Sequence, residues 1–266
     1  MASRILLLIA HGSRSSAWNH AIETFCSNLQ QTEQGHTEID EVRWCYLEHA
    51  QPTIQSALNL LCQEREREII CLPLFLSAGH HVTHDIPNEV GLAAAQLDRR
   101  EGVTLYECRG CRVQLMDPPP SLDLIADNIE RRIKRMGVSM DGSGLIVVYY
   151  GAKKYMRQWN HLAFHVQSRL LEKFPHSQIG WSYAGEAVDF LPESLAEAIR
   201  EMAQNAGRIM IIPALVAVGV VQNDIIPAAV IMSQLEDRIV YTGDSMLPDA
   251  EMERSVLEYV HSNMIR

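Results

Sequence analysis

Three residues of this sequence suit coordination chemistry and stand at comparable places in their segments. His11 follows the apolar run 4–10, and Glu48 closes Tyr46-Leu47-Glu48. His81 lies in Ser77-Ala78-Gly79-His80-His81-Val82-Thr83-His84-Asp85-Ile86-Pro87, past a third apolar run. Two imidazoles and a carboxylate are suitable ligands for a borderline divalent metal. Each residue alone has a plainer reading. A lone histidine at a strand end is commonly a hydrogen-bonded structural residue. Glu48 could cap a helix opening near Pro52, and His80, His81 and His84 could form a solvated polar turn. The metal reading gains from the expectation that all three fall on one rim.

The elements that would place them there alternate in type. Residues 4–10 are continuously apolar, as in a strand buried on both faces. A helix is expected over 15–31 and a strand over 42–47. Pro52 opens a helix whose Ile54, Ala57, Leu58 and Leu61 make one apolar face. Further strands are expected at 68–76 and 103–106. This predicts an α/β fold with a doubly wound parallel sheet, where ligands bind beyond the carboxyl ends of the strands.

Asp117-Pro118-Pro119-Pro120-Ser121 then interrupts the pattern as a linker or sharp turn. The half of the chain beyond it repeats the half before it. Residues 145–149 and Gly151 mirror 6–10 and Gly12. Trp18-Asn19-His20 recurs as Trp159-Asn160-His161, and Trp44-Cys45-Tyr46 as Trp181-Ser182-Tyr183. Pro73, Gly79 and Pro87 recur at identical spacing as Pro213, Gly219 and Pro227. An internal duplication is therefore expected, giving lobes at 1–117 and 118–266 with a cleft between them. The first lobe carries the metal site. In the second, Tyr150, Gly185 and Val221 stand in place of His11, Glu48 and His81. That copy would close the cleft.

Leu8-Ile9-Ala10-His11-Gly12-Ser13-Arg14, Tyr46-Leu47-Glu48 with Pro52-Thr53, and Pro73-Leu74-Phe75-Leu76-Ser77-Ala78-Gly79 through His81-Val82 to Asp85-Ile86-Pro87 resemble the sirohydrochlorin chelatases of the CbiX/SirB type. These are class II tetrapyrrole chelatases. The resemblance is dense over about residues 5–90 and continues as a degenerate second copy. It implies insertion of a divalent metal into sirohydrochlorin or a related tetrapyrrole without ATP, serving siroheme or cobalamin biosynthesis. The metal is cobalt or iron, with nickel a further candidate, and no organic cofactor is implied. His11 and His81 match the family's metal-binding histidines, and Glu48 its acidic helper. His80 stands where the family has a small residue; counting back from Asp85-Ile86-Pro87 favours His81. A neutral imidazole can hold the metal and accept a pyrrole proton, and a carboxylate can complete coordination or relay the proton. Open coordination of this kind permits transfer, whereas a closed cysteine site would trap the metal.

Sirohydrochlorin is a polycarboxylate, so the acidic chain, of formal charge −10, needs local basic contacts. Gly12-Ser13-Arg14 is expected to begin a helix whose N–H groups and arginine favour anions. Ser13, Arg14, Ser77 and His80 are the expected substrate contacts, with Lys153, Lys154 and Arg157 at the mirrored helix start; a solvated basic helix start is the plainer alternative.

The remaining features mostly exclude. A composition of 47% hydrophobic and 21% charged residues is that of a folded globular chain, which argues against disorder beyond short linkers. The negative charge argues against nucleic acid as a partner. No apolar run approaches the ~20 residues of a membrane span, and the N-terminal segment reads as a strand rather than a signal peptide. Six cysteines scattered through apolar runs suit a reducing cytoplasm. Cys108-Arg109-Gly110-Cys111 offers too few ligands for zinc or an iron–sulfur cluster and reads as incidental thiols near the linker. A monomer is expected, since duplication supplies both lobes. Two rival functions are a metal or tetrapyrrole carrier without catalysis, and a histidine-phosphatase-like phosphotransferase. The second is disfavoured because Ala10 stands where an arginine should precede the histidine.

Overall fold

The run Arg4–Ala10 forms β1, the strand around which the first sheet is laid in a computed structural model that describes residues 3–33, 38–64, 66–76, 79–119 and 122–265. Every residue of it from Ile5 to Ala10 is buried, as a two-sided strand requires. Ile5, Leu7 and Ile9 share a core cluster with Ile54, Ala57, Leu58, Leu61, Ile86 and Val90. The alternation of a strand turns Leu6 and Leu8 to the opposite face, so helices must cover both.

The chain divides into two compact units. The first holds β1, α1 (Ser16–Glu33), β2 (Glu41–Tyr46), α2 (Ile54–Leu61), β3 (Glu68–Pro73), α3 (Ile86–Ala93), β4 (Ala95–Arg100), β5 (Val103–Cys108) and β6 (Cys111–Met116). The second holds α4 (Leu122–Met136), β7 (Ser143–Tyr149), α5 (Met156–Lys173), β8 (Gln178–Tyr183), α6 (Glu193–Met202), β9 (Arg208–Pro213), α7 (Ile226–Ser233) and β10 (Ile239–Val240). The last helix, α8 (Ala250–Asn263), belongs to the first unit. Assigning the chain from 118 to its end to the second lobe is corrected on that point. The cause is specific packing: α8 lies on α1, Asn28 donates to Glu253 Oε1 at 2.8 Å, and Gln114 bonds the backbone of Ile265 both ways at 2.8 Å.

The first sheet has the order β2-β1-β3-β6-β5-β4. β2, β1, β3 and β6 run parallel, while β5 and β4 are antiparallel additions. The strand expected at 103–106 is therefore not a fourth parallel strand but one arm of a hairpin. Arg109 and Gly110, at φ 54° and 89°, make its two-residue turn, and Cys108 pairs with Cys111 across it. The CxxC is thus a hairpin turn and not part of the linker; both thiols are buried and free. The second sheet, β10-β9-β7-β8, is wholly parallel. Among the described residues, no helix is long and apolar enough to cross a membrane.

The second unit repeats the backbone bonding of the first. Leu47 N–H to the Ala10 carbonyl is matched by Ala184 to Tyr149, Glu48 to His11 by Gly185 to Tyr150, and Leu74 to Ile9 by Ala214 to Val148. Both units follow their third strand with a five-residue π-helical turn, His81–Asp85 and Val221–Ile225, then a helix with proline in its first turn.

The second unit is pinned by a buried cation. The Arg132 side chain, fully buried, donates to the Pro213 carbonyl at 2.6 Å and to Asp244 Oδ2 at 3.0 Å. Burial alone would raise the Asp244 carboxyl, but hydrogen bonds and charge from Arg132 outweigh it and hold the group below its ordinary range. A carboxyl depressed in the fold contributes stability above its unfolded value of about 3.9 and loses it as pH falls through the folded value. Arg132→Ala should lower stability by about 3 kcal/mol near neutral pH, the low end for a broken buried pair because Asp244 keeps some solvent. Urea midpoints near neutral pH and at about pH 3 check this: the gap between parent and variant should narrow in acid.

Candidate metal centre

Strand register brings the chemistry-bearing residues level. Ala10 pairs with Tyr46 and Ile9 with Pro73, so β1, β2 and β3 end together and their next residues share one rim. His11 is the first residue past β1. Glu48 is two past β2, held by its N–H to the His11 carbonyl at 3.0 Å. Gly12 makes this approach possible: a Cβ there would lie 1.9 Å from the Glu48 carbonyl oxygen, and its φ is 89°. The Ala50 N–H then bonds the Glu48 carbonyl at 2.8 Å around His49, at φ 62°, which closes a tight γ-turn under the carboxylate.

His81 arrives from the third strand by the π-helical turn, closed by the Ile86 N–H on the His81 carbonyl. Single π turns are frequent at functional sites. This wide turn brings residues four apart together, so that His81 Nδ1 meets Asp85 Oδ2 at 2.7 Å.

The result is a triad. Ligand atoms of His11, Glu48 and His81 all lie within 4.8 Å of one another. The imidazole centroids are 4.8 Å apart at 85°, with Phe75 packed 6.3 Å from His11 and 6.1 Å from His81. The three side chains are 37%, 43% and 42% exposed, so they remain open to a bound molecule. A cavity of about 260 Å³, lined by Leu47, Glu48, His81, Asp85, Asn88 and Glu89, opens beside them.

Hydrogen bonds fix which nitrogens face this space. His11 Nδ1 is 3.0 Å from the Gly12 carbonyl, which only accepts, so Nδ1 carries hydrogen. His81 Nδ1 likewise donates to the Asp85 carboxylate. Both rings therefore present Nε2. His11 Nε2 lies 3.2 Å from Glu48 Oε1, which His49 Nε2 also approaches at 3.3 Å. A lone pair and a carboxylate oxygen at that distance need a proton or a cation between them.

The other sequence-selected residues are placed less uniformly. Ser13 and Arg14 precede the helix rather than begin it: α1 starts at Ser16, and the Ser13 N–H is taken by Asn19 Oδ1 at 3.1 Å. Ser77 lies outside the described residues. His80 sits one residue before the π turn, its Nε2 3.4 Å from Asp85 Oδ1. Lys153 pairs with Asp189, Lys154 lies over the Tyr155 ring at 5.6 Å, and Arg157 is exposed on α5. Sequence reading missed Asp85, His49 and Phe75 as partners of the triad. Only Asp85 left a usable signal, a carboxylate four residues after a histidine.

Comparison with known proteins finds relatives in both sequence and fold. The CbiX family model matches residues 5–135. A sirohydrochlorin cobaltochelatase of Sulfurisphaera tokodaii is 24% identical over 131 residues, 49% of this chain and 92% of the relative. One of Methanopyrus kandleri is 31% identical over 87 residues, 33% of this chain and 58% of the relative. The structure of SirB from Bacillus subtilis with Fe3+ superposes with a TM-score of 0.74 at 18% identity, covering 98% of this chain and 95% of that one. At that identity the likeness concerns the fold.

Gly12→Ala should destabilise the chain by about 2 kcal/mol or more, since strain at positive φ adds to a backbone clash. Gly102→Ala, at φ 76° with open space around it, should cost only about 1 kcal/mol. Denaturant midpoints of the two variants make the comparison.

Proposed function

Because residues 5–135 form a CbiX-family domain, we propose that the protein inserts a divalent metal, cobalt or iron, into sirohydrochlorin without ATP. The observation that carries the reading is the short approach of His11 Nε2 to Glu48 Oε1, with His81 beside them. The metal is substrate here. His11 Nε2, His81 Nε2 and a Glu48 oxygen would hold it, while the remaining positions stay open for pyrrole nitrogens.

Transfer then proceeds by ligand exchange. As the four macrocycle nitrogens take the metal, the two that carry hydrogen must lose their protons, and an imidazole released from the ion can accept one at Nε2. Asp85 holds the His81 ring through Nδ1, so the ring keeps its aim between metal-bound and metal-free states. Each turnover releases two protons and no other group, so no ATP is required. Glu48 and the acidic residues lining the cavity, Asp85 and Glu89, give departing protons a polar exit.

The second unit has Tyr150, Gly185 and Val221 at the equivalent backbone positions and so lacks the ligand set. Its proposed part is to close over the substrate, with Lys153, Lys154 and Arg157 facing peripheral carboxylates. Six buried free thiols suit a cytoplasmic setting, and the duplication suits a monomer.

His81→Ala should abolish insertion of cobalt into sirohydrochlorin, followed by absorbance, while circular dichroism stays that of the parent. Activity surviving in His81→Ala but lost in His80→Ala would overturn the assignment. A carrier would stop at one equivalent under excess metal and substrate, whereas the enzyme turns over. Lys153→Ala with Lys154→Ala should raise KM about three- to tenfold with kcat little changed, and flatten the salt dependence of KM. Lys153 already has Asp189 as a partner, so an effect at the low end is expected.

A further inference from the structure

The second unit's rim is apolar where that of the first is polar. Tyr150, Phe190, Leu191 and Val220 are exposed there, in the segments that follow β7, β8 and β9. Tyr150 stands where His11 does, and Val220 precedes its π turn as His80 precedes the other. Gly185, in place of Glu48, makes room for the tyrosine ring: a Cβ there would lie 2.7 Å from Tyr150 Cδ2. The Phe190 N–H bonds the Gly185 carbonyl at 2.9 Å, and the Phe190 ring meets that of Tyr150 with centroids 5.7 Å apart at 73°. Asp189 and Phe190 hold φ values of 53° and 58°, a conformation that strains any residue with a side chain. Backbone bonds from Asp189 to Glu186, Phe190 to Gly185 and Leu191 to Val188 keep the loop in this shape, and Lys153 pairs with Asp189. A phenylalanine at positive φ with 40% of its surface open returns little burial for its strain, which points to a role in binding.

Exposed aromatic rings accept the face of a flat conjugated molecule by stacking. Lys154 and Arg157, exposed at the start of α5, flank this surface, while Lys153 is engaged by Asp189. An apolar centre with cations at its edge matches a flat ring system that carries carboxylates around its periphery. We propose that Tyr150 and Phe190 form an aromatic shelf on the second unit that binds the face of a carboxylated tetrapyrrole. This rests on the reading of the chain as a sirohydrochlorin chelatase, and it adds recognition of the macrocycle's face to recognition of its charge. The shelf touches the macrocycle and holds no metal, so it acts on tetrapyrrole affinity and leaves the metal affinity of the triad alone.

Titration of the full chain with metal-free sirohydrochlorin, followed by the absorbance of the macrocycle, reads the shelf. Phe190→Gly removes the ring and relieves the positive φ. Its urea midpoint should therefore match or exceed that of the parent, while Kd for sirohydrochlorin rises about three- to tenfold. Tyr150→Ala should weaken binding to a similar degree, and Tyr150→Phe should keep the parent affinity. Co2+ titration without tetrapyrrole should be the same in parent and variants. Phe164→Ala removes another exposed aromatic, on α5, and should change none of these readings. An unchanged Kd in both Phe190→Gly and Tyr150→Ala would overturn the proposal. So would a dimeric parent that dissociates in Phe190→Gly with its sirohydrochlorin affinity intact, which would make the surface a contact between two copies of the chain. Weakened binding in both variants of a parent that inserts no cobalt would support the shelf and overturn the chelatase reading. Unchanged binding in variants of a parent that turns over would do the reverse, so the two failures are separable.

Discussion

The bond from the Glu48 N–H to the His11 carbonyl, 3.0 Å long, is the interaction on which the site depends. It continues the β1–β2 ladder past the last paired residues, and it exists because Gly12 leaves room where any side chain would strike the Glu48 backbone. Through it, the side chains of His11 and Glu48, each just past a strand, are set relative to one another by the backbone alone. The third member of the triad comes on a different kind of support, a widened helical turn that couples His81 to Asp85. A level strand rim and one π turn together bring two imidazoles and a carboxylate to one end of a common α/β scaffold.

The second unit shows which part of this arrangement belongs to the scaffold. It has the equivalent backbone bonds, the π turn and the proline after it, yet Tyr150, Gly185 and Val221 at the positions of the triad. The reciprocal contact at its rim is tight as well: a Cβ on Gly185 would lie 2.4 Å from the Tyr150 carbonyl oxygen. Backbone geometry is thus common to both units while the rim side chains differ, because sheet register fixes the first and leaves the second unconstrained. The helices follow the same correspondence, since α4 packs on α5 as α8 packs on α1.

Much of this was legible in the residue order. Continuous apolar runs such as 4–10 identify strands buried on two faces, and the motif ending Asp85-Ile86-Pro87 singled out His81, which the structure sets beside His11 and Glu48. The misreadings have physical reasons. Strand β4 carries no buried residue, so it leaves no hydrophobic period to detect. The Cys108–Cys111 hairpin was hidden because Arg109, not asparagine or aspartate, accompanies Gly110 in its turn. His49 and Phe75 entered the site through tertiary placement alone. Whether two histidines four apart meet as a stacked pair, as His80 and His84 do, depends on the width of a turn that sequence spacing does not report.

The return of α8 makes the first unit discontinuous: its chain is interrupted after Pro119 and resumes at Pro248. The second unit is consequently nested within the first, like a parenthesis within a sentence. Two covalent crossings join them where a tandem array would have one. A single proteolytic nick at the proline segment yields two chains held by packing alone, and the severed first unit depends on the other fragment for the C-terminal segment that meets Asn28 and Gln114. Evolution by simple loss of the second copy is obstructed for the same reason, because excising everything after the linker also removes part of the first unit's own wall.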